Sequence, residues 1–82
     1  MKTLLILALT LSLNAGVCET AKKDYDISNS KYEQGINPIL NCNRMVLNLE
    51  TIKKECNYSD RTKLIIMNMI DYQNGMCIHL AK

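Results

Sequence analysis

The sequence has no tryptophan and no phenylalanine, and its only large aromatic side chains are four tyrosines. An interior must then be filled by Leu, Ile and Met, so the methionines Met45, Met67, Met69 and Met76 are expected to serve mainly as core filler. The single histidine, His79, stands two residues from Cys77. A closed structural zinc site takes four ligands, so this pair makes no metal site and no cofactor is expected. No Ser or Cys stands near a recognisable His and acidic partner, and three glycines form no phosphate-cradling loop. An enzyme is therefore not expected. An excess of one charge is lacking too: ten Lys and Arg face eight Asp and Glu, without the clustered cations that nucleic-acid phosphates require. No apolar run reaches the about 20 residues that cross a bilayer.

What is present begins with an export signal. Lys2 precedes an apolar or hydroxyl-bearing run from Leu4 to Leu13, the length of a signal-peptide core, and small residues follow at Ala15 and Gly16. The expected cut after Gly16 leaves a secreted, extracellular chain of 66 residues with nine basic and eight acidic side chains. Cleavage after Ala15 or Gly16 keeps Cys18, whereas cleavage after Cys18 leaves Cys56 as an odd thiol and points to a disulfide-linked dimer. A bacterial lipidation signal is disfavoured because Val17 stands where a small residue is needed.

From Pro38 to Cys56, Ile39, Cys42, Met45 with Val46, Leu49, Ile52 and Cys56 recur at three- and four-residue steps, one stripe along a helix. Asn37 is expected to cap it, with Pro38 at the first helical position. Ser59 or Asp60 opens a further helix expected over 60–74, and Gly75 after Asn74 reads as its left-handed terminator. The dense run Leu64, Ile65, Ile66, Met67, Met69, Ile70 is expected to be buried on both sides in a small core, so membrane contact is not favoured. Residues 17–36 are expected to hold a short or frayed first helix. Asp26 to Ser30 is poor helix material, and Ser30 with Glu33 matches a capping box.

The fold expected after signal-peptide removal is all-α, a small disulfide-stapled helical hairpin or three-helix bundle of one domain, 17–82. At about 1.5 Å rise per residue, Cys42 and Cys77 lie at similar distances from the turn they share. Cys18 and Cys56 lie at similar distances from the turn before Pro38. The favoured pairing is thus Cys18 with Cys56 and Cys42 with Cys77, among three connectivities that the sequence leaves open. Each bridge closes a loop worth about 3 to 4 kcal/mol, comparable with what a core this small supplies.

Other candidate sites are few. Asn57-Tyr58-Ser59 is an N-glycosylation acceptor in the turn between helices. Lys22-Lys23 is a candidate dibasic cleavage site, more simply read as two solvated lysines. Tyr25, Arg44, Tyr58 and Arg61 are residue types suited to interfaces. In general form the chain resembles the secretoglobins, small secreted helical proteins with cysteines near both ends and one between. Cys18, Cys56 and Cys77 fit that plan, with shorter spacings, an extra Cys42, and Glu19 where the plan has proline. The resemblance covers no specific motif, and it implies a dimeric carrier of a small lipophilic ligand. The reading from the residues themselves is a non-catalytic effector of the hormone, venom or reproductive-fluid type, binding a receptor, channel or other secreted protein. A membrane-active peptide is a third reading.

Overall fold

The computed structural model describes the backbone from Lys2 and the side chains from Gly16 onward, so the expected signal peptide, 1–16, lies outside the described side chains apart from Gly16. The elements are α1 (Lys2–Glu33), α2 (Pro38–Glu55) and α3 (Asp60–Ala81). Cys18 is bonded to Cys56 and Cys42 to Cys77, with Cα atoms 5.0 and 5.5 Å apart. The protein is a disulfide-stapled all-α fold, and its bridges join the pairs that helix rise places at matching heights.

Each helix meets its neighbours along a seam spaced by threes and fours. On α1 the seam is Cys18, Ala21, Tyr25, Ser28 and Tyr32; on α2 it is Cys42, Met45, Leu49 and Ile52, continued by Cys56 at its C-cap; on α3 it is Ile66, Ile70, Gln73 and Cys77, all buried or half-buried. This spacing keeps a narrow stripe turned toward a neighbouring helix. α2 is the central member: α1 and α3 both pack on it, while among the described residues no Cα of α1 comes within 8 Å of one in α3. Side chains from all three helices meet near the Cys18–Cys56 bridge, where Ala21, Ile52, Cys56 and Ile66 form a buried cluster against Tyr25, Tyr58 and Ile70. Only eight apolar residues are fully buried among those described, and three of them are cysteines. The bridges therefore supply much of what a larger core would.

Three expectations are corrected. The first helix is neither short nor frayed, and Ser30 does not start it: α1 runs unbroken through Asp26–Ser30 to Glu33. Packing overrides propensity here, because Ser28 is 5 % exposed and Ala21 5 % exposed, small side chains that sit in the seam. Ser30 lies within the helix and its hydroxyl accepts from Gln34 Nε2 at 3.1 Å. The helix stops at Gly35, whose φ is +74°. Gly35 N donates to the Tyr32 carbonyl and Ile36 N to the Lys31 carbonyl, the Schellman pair that closes a helix on a left-handed glycine.

The second correction concerns Gly75, which does not end α3. Gly35 is the glycine with positive φ, whereas Gly75 is helical and α3 continues to Ala81. Cys77, bonded to Cys42 and 3 % exposed, holds the following turn in register with α2. The third is Asn37, which is left-handed at φ 42° and makes no side-chain cap. Asn41 secures the turn instead: its Nδ2 donates to the Ile36 carbonyl at 2.7 Å and to the Asn37 carbonyl at 3.2 Å. Ser59 does cap α3, accepting from the Thr62 amide at 3.3 Å.

Candidate functional site

Since only a narrow seam is buried, the remaining apolar residues of α2 and α3 face outward. Leu64 is 59 %, Ile65 55 %, Met67 45 % and Met69 40 % exposed, and only Ile66 of the dense run is fully buried. The expectation of a helix packed on both sides is thus overturned, and among the described methionines Met45 alone is core. A helix that presents apolar residues on several faces has more surface than its own fold uses.

Two of these surfaces have the shape of a site. The first lies between α2 and α3 near the Asn57–Ser59 turn, a cleft of about 630 Å³ lined by Glu50, Lys53, Lys54, Lys63 and Met67. Lys53 and Lys54 belong to the last turn of α2, where cations meet the negative end of the helix dipole. Lys63 comes to the same cleft from α3, so three ammonium groups face one carboxylate around an exposed thioether. The cleft can receive an acidic, partly apolar surface. The second lies between α1 and α3, a groove of about 410 Å³ lined by Tyr25, Ile65, Asn68, Met69, Tyr72 and Gln73. Burial, and then the neighbouring Asp26 carboxylate, push the Tyr25 phenol above its ordinary range.

The other expected residues are dispersed. Tyr58 is half-buried against the core and carries the Lys22 ammonium 5.5 Å from its ring centroid. The Tyr58 hydroxyl, then Glu19, raise the Lys22 pKa, and Glu19 pairs with Lys22 at 3.4 Å. The candidate cleavage pair Lys22-Lys23 therefore lies inside a helix anchored by Cys18, where a protease would first have to unwind several turns. Arg44 lines a smaller groove, of about 330 Å³, with Asp24, Ile27 and Leu47, and Arg61 is exposed in the first turn of α3. Asn57 is exposed between the helices. His79 is exposed near the end of α3, and among the described residues no three His, Cys, Asp or Glu side chains are placed to hold a metal ion.

Two residues that the sequence pattern passes over hold the far end together. Gln73 occupies a seam position, 9 % exposed, and its Nε2 donates to the bridged Cys42 sulfur at 3.1 Å. Asn41 is 2 % exposed, and its Oδ1 is a buried acceptor without a hydrogen-bond partner in the fold. Neither is legible from periodicity, because amides at seam positions look like interruptions of an apolar stripe. No protein-family model, curated protein or solved structure matches this chain.

Proposed function

We propose that the chain is exported, retains Cys18 after cleavage at Gly16, and acts non-catalytically as an effector that binds a receptor, channel or other secreted protein. The observation that carries this reading is the cleft of Lys53, Lys54, Lys63 and Met67 on a scaffold fixed by two bridges. A preordered surface loses little side-chain and backbone freedom on binding, which leaves more of the contact energy as affinity. Three lysines against one carboxylate select a partner with an acidic patch and speed its encounter. The two bridges, and the absence among the described residues of a helix long and apolar enough to cross a membrane, are compatible with an extracellular location. The exposed Asn57 sequon sits beside the same turn, and in a eukaryotic secretory pathway it would carry a glycan there.

The test is saturable binding of the labelled, disulfide-intact protein to membranes from the source tissue. Unlabelled folded protein should compete, and reduced and alkylated protein should not. The double variant Lys53→Glu, Lys63→Glu should weaken binding at least tenfold and flatten its salt dependence. Binding that does not saturate, or that ignores the charge reversal, would remove this cleft as the docking surface. The carrier alternative would announce itself differently, as lipid that co-purifies with the protein.

A further inference from the structure

One face of α3 is apolar for four turns and is largely exposed among the described residues, its first half bordering the groove that Ile65, Met69 and Tyr72 share with Tyr25 of α1. Ile65, Met69, Tyr72, Met76 and Leu80 follow one another at steps of four, three, four and four, which lays them in a single stripe beside the seam. Ile65 is 55 %, Met69 40 %, Tyr72 71 % and Leu80 36 % exposed. Between Leu64 and Ala81 the only formally charged residue is Asp71, and at 3.6 residues per turn it falls on the far side of the helix from this stripe.

We propose that the stripe is the interface of a two-fold symmetric, non-covalent dimer of this chain. Three observations choose a second copy over other occupants. The stripe is self-complementary: run antiparallel against itself about an axis level with Tyr72 and Gln73, it sets Ile65 against Leu80 of the second copy, Met69 against Met76, and Tyr72 beside its own counterpart. An isologous interface needs this kind of self-matching surface. The exposed side chains of the stripe offer on the order of 500 Å² of apolar area per copy, close to the apolar share of the about 800 Å² per partner that a stable interface buries. Finally, a membrane-surface helix carries Lys and Arg along its polar face, and α3 has no lysine or arginine from Leu64 to Ala81. All four cysteines are bonded within the chain, so the association needs no thiol. The basic cleft between α2 and α3 lies on another side of α3, so a dimer leaves it free and its partner reading stands or falls separately.

The experiment is sedimentation equilibrium of the disulfide-intact protein from low to high micromolar concentration, with light-driven dityrosine cross-linking as a second readout. The expected mass rises from one chain to two. Met69→Lys and Tyr72→Asp, both at exposed positions, should raise the dissociation constant at least tenfold while helicity and the disulfide map are unchanged. Leu47→Asp, the same kind of change at a site 61 % exposed on α2, should leave it unaltered. Cross-linked dimer should be lost in Tyr72→Phe, which preserves the packing ring, and kept in Tyr32→Phe. A single-chain mass at every concentration would overturn the proposal, as would dissociation by Leu47→Asp, cross-linking through another tyrosine, or a monomer that uses the stripe to bind anionic vesicles.

Discussion

At the scale of single residues, the seam separates positions that matter for stability from chemically identical ones that do not. Leu49 is 3 % exposed and Leu47 61 %, two residues apart on one helix. Leu49→Ala should therefore cost about 2 to 4 kcal/mol through lost burial and the cavity it leaves, and Leu47→Ala no more than about 0.5 kcal/mol, as read by urea unfolding with bridges intact. The two glycines make an opposite pair. Gly75 is helical, and a Cβ added there meets nothing within 4 Å, so Gly75→Ala should stabilise the protein by about 0.5 to 1 kcal/mol. Gly35→Ala should destabilise by about 1 kcal/mol, because φ +74° strains any residue with a Cβ. Equal shifts in the two glycine variants would contradict the assignment of Gly35, and not Gly75, as a helix terminator. Tyr25 gives a pH signature. Its pKa is raised by burial and by Asp26, so the folded state favours the neutral phenol. The stability this contributes is present below about pH 10, the ordinary tyrosine value, and is lost as pH rises through the folded value. Absorbance at alkaline pH should show a tyrosine ionising late, and Tyr25→Phe should delete that component.

At the scale of helices, the bridges set the order in which the fold comes apart. Cys42 and Cys77 are 0 % and 3 % exposed, whereas Cys18 is only partly buried. Mild reduction followed by alkylation should label Cys18 and Cys56 first, leaving Cys42–Cys77 intact in a species that keeps the α2–α3 hairpin. Full reduction should unfold the chain, since each bridge closes a loop of 38 or 35 residues worth about 4 kcal/mol. Simultaneous labelling of all four cysteines would argue against this hierarchy. The same scale shows what the sequence reveals and what it hides. The stripe from Cys42 to Cys56 is plain because its apolar residues alternate with Asn43, Glu50 and Lys54, and helix rise alone aligns the cysteines. The course of α1 through Asp26–Ser30 is hidden because Ala21 and Ser28 act by being small, and periodicity searches weigh large apolar side chains. The end of α3 is hidden because Gly75 obeys the local rule for a stop until Cys77, two residues on, is tied to α2. The outward faces of α3 are hidden for a different reason: an apolar residue that packs in the core and one that awaits a partner read the same in a sequence.

At the scale of the whole molecule, a narrow coiled-coil-like seam and two bridges do the work that a broad core does in larger domains, and this leaves apolar and basic surface free on α2 and α3. Both proposed contacts depend on that scaffold, and under the proposed export it persists only where Cys18 survives cleavage. The most direct measurement is the mass of the secreted chain with and without reductant, after enzymatic removal of any glycan, together with non-reducing peptide mapping. The expected result is a chain beginning at Val17, heavier by four hydrogens on reduction, with Cys18 linked to Cys56 and Cys42 to Cys77 inside one polypeptide. A chain beginning after Cys18, with Cys56 free or bonded to a second molecule, would contradict it.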